Sequence, residues 1–212
     1  MTAHRGLFVT IDGPGGAGKS STTRLLHHRL TSQGYAVHTT TEPSHDQLGE
    51  IARHGTDTYS GHALACLVAA DRYHHLATEI RPQLAAGKIV LCDRYVASSY
   101  VLQRMDGVPI DFIEALNAAA DIPDVAVILT VDPKVTARRI HERGAHSRFE
   151  AGITTSRMEA ELYADTTHRL TRRNYPILAI DTTKCATEQV VDMIVQRIAQ
   201  LTASPPDESH TA

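Results

Sequence analysis

The sequence has no tryptophan, only three phenylalanines and three cysteines in 212 residues, and a formal charge of -3 that leaves no strong field of either sign. Each shortage excludes something. Cys66, Cys92 and Cys185 are odd in number, far apart and outside any C-x-x-C spacing. This argues against a disulfide framework or a zinc site and fits a reducing, cytoplasmic setting. The near-neutral charge removes the basis for binding bulk nucleic acid or an anionic membrane surface. No window approaches the roughly 18 apolar residues of a membrane span, and the start, Met1 to Arg5, lacks a signal-type apolar core. A soluble protein with small molecules as partners is expected. The thirteen histidines include the neighbours His27-His28 and His74-His75, but adjacent residues on a helix diverge, so no dedicated histidine metal site is expected.

What is present, 42% hydrophobic and 21% charged residues, suits one domain that buries its own core. It is expected over residues 1–202, with 203–212 a disordered, proline-bearing tail. Short apolar runs alternate with helical patterns. Strands are expected at Gly6–Asp12, Ala36–Thr41, Ile89–Asp93, Val125–Val131 and Pro176–Asp181. Helices are expected at Lys19–Thr31, Leu64–Leu84, Val96–Gln103, Ile110–Ala120, Pro133–Arg143 and Ala186–Leu201. That alternation implies an α/β, P-loop NTPase-type three-layer fold: a five-stranded parallel sheet flanked by helices, with ligands beyond the carboxyl ends of the strands.

Directly after the first strand, Gly13-Pro14-Gly15-Gly16-Ala17-Gly18-Lys19-Ser20 matches G-x-x-x-x-G-K-[ST] and opens a helix, with Ser21 next. Small residues let successive backbone N–H groups face phosphate oxygens at the positive end of the helix dipole. Lys19 supplies a cation for the β/γ phosphates of ATP, and the Ser20 hydroxyl is a hard oxygen ligand for Mg²⁺. A ligand-free glycine turn is the bland alternative, and the flanking strand and helix weigh against it.

At the end of the third strand, Asp93 fits a second Mg²⁺ ligand or a base for the acceptor's proton, or merely a helix cap. Beside it, Arg94 has the planar fork that suits phosphate, or makes a surface ion pair.

Over about residues 6–200 the chain resembles the thymidylate kinases. The resemblance is carried by Ile11-Asp12-Gly13 with Gly-Ala-Gly-Lys-Ser, Glu42-Pro43, Leu48-Gly-Glu-Ile-Ala-Arg53, Ala69-Ala-Asp71-Arg72, Asp93-Arg94-Tyr95 with Ser98, Ser99 and Gln103, and Arg143-Gly with Arg148-Phe-Glu150. It implies transfer of the ATP γ-phosphate to dTMP by a cytoplasmic, Mg²⁺-dependent homodimer. Arg53 and Arg94 would grip the acceptor phosphate and Glu42 would border the sugar and metal region. Arg72, Ser99 and Gln103 would read the pyrimidine edge. A lid over about 143–156 would bring a catalytic arginine, Arg148 first and Arg143 second, in keeping with the bacterial form, which has glycine at the position of Gly16.

Three positions depart from the family pattern. Gly15 replaces a P-loop aspartate, Val68 a phenylalanine that stacks on thymine, and Leu102 a tyrosine that crowds a ribose 2′-hydroxyl. Tyr100 is the nearby candidate to restore aromatic surface. Two other readings therefore stay open: a kinase for a different or modified nucleoside monophosphate, cytidylate kinases sharing Ile-Asp-Gly-Pro, and a non-catalytic P-loop nucleotide-binding protein.

Overall fold

Successive residues of each central strand feed two different cores. In the computed structural model, which describes residues 5–144, 149 and 152–203, the strands are β1 (Phe8–Asp12), β2 (Val37–Thr41), β3 (Ile89–Asp93), β4 (Val125–Thr130) and β5 (Ile177–Asp181). All pairs are parallel, in the order β2-β3-β1-β4-β5. Phe8, Val90, Cys92 and Ile128 pack to one side, with Leu76, Val96, Tyr100 and Tyr163. Val9, Ile11, Leu91, Val127 and Leu129 pack to the other, with Leu26, Leu30, Val190 and Ile194. The alternation follows from the period of two along a strand.

The helices that cover these faces are α1 (Lys19–Ser32), α2 (Gln47–His54), α3 (Gly61–His75), α4 (Arg81–Ala85), α5 (Val96–Met105), α6 (Ile110–Leu116), α7 (Pro133–Arg143), α8 (Gly152–Arg172) and α9 (Thr187–Ala203). The three-layer α/β reading holds; besides the short α2, which the sequence pattern does not reveal, two elements correct it in detail. The single helix expected over Leu64–Leu84 is interrupted by a π-helical turn at Leu76–Ile80, where the N–H after the turn donates to the Leu76 carbonyl five residues back. Pro82 stands in the first turn of α4; it has no N–H to offer and its ring crowds the carbonyl four residues earlier, which the wider turn relieves.

The second correction is α8, a helix of 21 residues that the sequence pattern does not reveal. It takes up the part of the expected lid from Gly152 onward. Positions 145–148, 150 and 151 of that lid, and the tail from 204, lie outside the described residues.

Candidate active site

The carboxyl ends of β1 and β3 are joined before any ligand is considered. Asp12, the last residue of β1, accepts from the N–H groups of Tyr95 and Ser98 at 2.9 Å each and from the Ser98 hydroxyl at 2.6 Å. It therefore caps α5, and Asp93 does not. Freed of that duty, Asp93 Oδ2 accepts from the Ser20 hydroxyl at 2.5 Å, while its Oδ1 is buried without a hydrogen-bond partner.

The glycine-rich segment forms the turn the motif requires. Gly13 has φ 150°, and a Cβ there would meet the Leu129 carbonyl oxygen at 2.5 Å; only glycine fits. Lys19 is folded over its own loop, donating to the carbonyls of Gly13 and Pro14 at 2.8 Å each. Burial lowers its ammonium to about 7 and the charge of Arg94 adds to this, while Asp93, Glu159 and Asp12 oppose it. An anion brought into the cradle would restore the charged form. Arg139 of α7 donates to the Gly16 carbonyl at 3.0 Å, a support that sequence reasoning did not assign. Arg138 instead lies at the surface, 3.9 Å from Glu142.

Opposite the cradle, the loop 42–46 is built to hold Arg53. Asp71 accepts from the Ser44 N–H at 2.7 Å and its hydroxyl at 2.5 Å. Gly49 lies so close that a Cβ would meet the Ser44 carbonyl oxygen at 2.1 Å. This fixes α2, and Arg53 Nη2 donates to the Pro43 carbonyl. Its Nε, 3.7 Å from Glu50, has no hydrogen-bond partner. Arg94 has φ 73°, a left-handed backbone uncommon for a residue with a side chain and often found at functional sites. Its Nη1 is buried and unpartnered.

Arg72 is more deeply set than expected. It is paired neither with Asp71 nor with Glu79. Its Nε donates to Glu42 Oε2 at 2.7 Å, Nη2 to the Ser99 hydroxyl at 2.9 Å, and Nη1 to Asn117; the guanidinium also lies 5.2 Å from the Tyr95 ring centre. Burial works against its charge, but Glu42 and Tyr95 outweigh it and raise its pKa. Glu42 also faces His75 Nδ1 at 3.4 Å.

One cleft of about 480 Å³ joins these groups. Gly15, Gly16, Gly18, Lys19, Ser20 and Ser21 form its donor end; Glu42, Arg53, Val68, Arg72, Arg94, Ser99 and Gln103 line the rest, with Asp93 between. Ala17 is buried behind the loop. Leu64 and Leu102 extend the apolar wall, and Tyr95 and Phe149 bring aromatic surface. Tyr100 does not: it is buried, with Arg173 Nη1 donating to its hydroxyl at 3.3 Å. Arg148 and the side chain of Arg143 lie outside what the structure describes.

A glycine-rich cradle at one end of a cleft, with Arg53 and Arg94 beyond it and the Ser20 hydroxyl on the Asp93 carboxylate between them, is the arrangement of a P-loop phosphotransferase. The thymidylate kinase family model matches residues 11–194. A probable thymidylate kinase of Caldivirga maquilingensis is 34% identical over 192 residues, covering 89% of this chain and 91% of that protein. One of Pyrobaculum aerophilum is 32% identical, covering 91% and 98%, and the thymidylate kinase of Clavibacter sepedonicus is 38% identical, covering 74% of each. The chain belongs to the thymidylate kinase family.

Proposed function

We propose that this protein transfers the γ-phosphoryl group of ATP to dTMP, giving dTDP, with Mg²⁺ held by Ser20 and Asp93. The observation that carries the reading is that four residues lining one cleft each keep a buried polar atom without a hydrogen-bond partner: Arg53 Nε, Arg94 Nη1, Asp93 Oδ1 and Gln103 Oε1. Buried polar atoms without partners are costly, so a set of them on residues lining one space supports a ligand that satisfies them. Two donors suit the acceptor's phosphate. The Asp93 oxygen suits a cation, and the Gln103 oxygen suits a ring N–H of a uracil-type base.

The residues divide the work. Backbone N–H groups of Gly16 and of Gly18 to Ser20 receive the donor phosphates, and Lys19 leaves its carbonyl partners to reach the β/γ oxygens. Among the described residues no group of three or more His, Cys, Asp or Glu side chains could hold a metal. Ser20 and Asp93 would hold Mg²⁺ through their side-chain oxygens. The ion held there would supply charge neutralisation at the phosphate oxygens. Arg53 and Arg94 hold the acceptor phosphate in line. Arg72, fixed by Glu42, Asn117 and Ser99, presents its remaining N–H groups to a base carbonyl, while Val68, Leu64 and Leu102 flank the ring. A lid arginine, Arg148 or else Arg143, completes the charge around the transferred group. The protein works as a cytoplasmic homodimer in this reading, as the family resemblance implies; no helix among the described residues is long and apolar enough to cross a membrane.

Val68 and Leu102 line the cleft with aliphatic side chains, which favours relaxed discrimination or a related pyrimidine nucleotide as the second reading. ADP release measured over dTMP, dUMP, UMP, dCMP, CMP, AMP and GMP tests both. The largest kcat/KM is expected for dTMP; a larger value for another pyrimidine selects the second reading, and no turnover with any of them sinks the kinase assignment.

A further inference from the structure

Helix α8 carries a charged residue where a helix packed on a domain normally carries an apolar one. Its buried stripe runs Ser156, Glu159, Tyr163, Thr166 and Leu170, the i, i+3, i+4 spacing of one helix face. Glu159 is 3% exposed, and a carboxylate is rarely buried unless it is paired. Both of its oxygens accept from the Gly15 N–H, at 3.2 and 3.1 Å, across 144 residues of sequence. Its charge also acts on Lys19 and on Arg94. One turn along, the Tyr163 hydroxyl lies 3.2 Å from the Ser98 hydroxyl, which itself holds Asp12 at the end of β1. The face of α8 that bears Glu159 is thus pressed on the junction between the phosphate cradle and the acceptor arginine.

We propose that Glu159 is a positioning residue for phosphoryl transfer, a carboxylate delivered from α8 that fixes the Gly15 turn and counterbalances the charges of Lys19 and Arg94 before nucleotide arrives. The P-loop carries no acidic side chain of its own between Gly13 and Ser20. Glu159 supplies that charge from a distant part of the chain. Its position has a cost in ground-state affinity, because a negative group beside the cradle repels incoming phosphate. Removing the charge should therefore strengthen nucleotide binding while weakening catalysis, the opposite of what loss of a purely structural contact does.

The proposal rests on the kinase reading, and the experiment separates the two. In Glu159→Gln the side-chain amide oxygen can still accept from Gly15, while the charge and one of the two acceptor oxygens are lost. Its affinity for Mg-ADP, by calorimetry, should rise about three- to tenfold, consistent with removing one nearby like charge from a partly screened site. Its kcat with the best acceptor should fall about tenfold or more while KM for ATP falls as well. Gly15 is not among the glycines with positive φ, so its backbone accepts aspartate; the double variant Gly15→Asp with Glu159→Ala should return ADP affinity and most of kcat toward wild-type values. Unchanged or weakened ADP binding in Glu159→Gln, or an unchanged kcat, overturns the proposal. Because ADP binding is read without an acceptor, that answer stands whichever nucleotide the wild-type enzyme phosphorylates.

Discussion

Arg72 Nε and Glu42 Oε2 meet at 2.7 Å with both side chains 2% exposed, so the residue proposed to read the acceptor base is also half of a buried ion pair. The two duties can be separated. Glu42→Ala would strand a buried guanidinium, at a cost of about 3–5 kcal/mol. Denaturant unfolding should show a loss of that size, and Glu42→Ala combined with Arg72→Met should recover part of it.

Arg72→Ala should change the ranking of acceptors more than it changes the KM for ATP. The comparison is kcat/KM for dTMP, dUMP and dCMP, measured at a temperature where the variant is folded. An equal loss on every acceptor would remove Arg72 from base recognition and leave it a structural partner of Glu42.

Lys19→Ala should behave in the opposite way, lowering kcat on the order of a hundredfold or more with every acceptor, because it acts on the shared donor phosphates. Arg53→Ala should raise KM for the acceptor by about ten- to a hundredfold, the worth of one charge-assisted hydrogen bond of roughly 1.5–3 kcal/mol. ATP affinity should be spared, and steady-state kinetics varying one substrate at a time distinguishes the two.

His75 links the cleft to the outer edge of the sheet. Burial works against its charged form, but the Glu42 hydrogen bond and the charges of Glu42, Glu79 and Asp71 outweigh it, so its pKa is raised. Glu79 in turn pairs with His38 at 2.8 Å. In the unfolded chain His75 titrates near about 6.5. Its stabilising contribution is therefore fully present below that pH and is lost as the pH rises through the higher folded value. The difference in unfolding free energy between wild type and His75→Gln should shrink as pH increases above neutrality; a difference that grows with pH would contradict the assigned direction.

The sheet and the cradle were legible because their signals are local: an apolar run, a glycine pattern and a helix start lie side by side in sequence. α8 was not. Its stretch Gly152 to Arg172 is rich in threonine and charge, and its buried stripe holds serine, glutamate and threonine, so hydrophobic contrast between its faces is low. α2 is only eight residues long. The residue types of the acceptor side could be named in advance, but the Arg72–Glu42 pairing, the left-handed Arg94 and the α8 carboxylate on Gly15 arise only when distant segments meet. The resemblance to thymidylate kinases supplied the acceptor assignments that spacing alone left open.

Ile11 of β1 stands opposite Asp93 of β3 in the parallel register, so the phosphate-giving and phosphate-receiving loops hang from neighbouring strands. The gap between the two loop attachments is then set by the spacing of adjacent strands, about 4.8 Å. Substitutions in the surrounding helices can retune which molecule is admitted, but the span between those anchor points is a unit length of the sheet. Changing the acceptor is then a matter of the side chains that line the cleft, because both loops keep their places on adjacent strands.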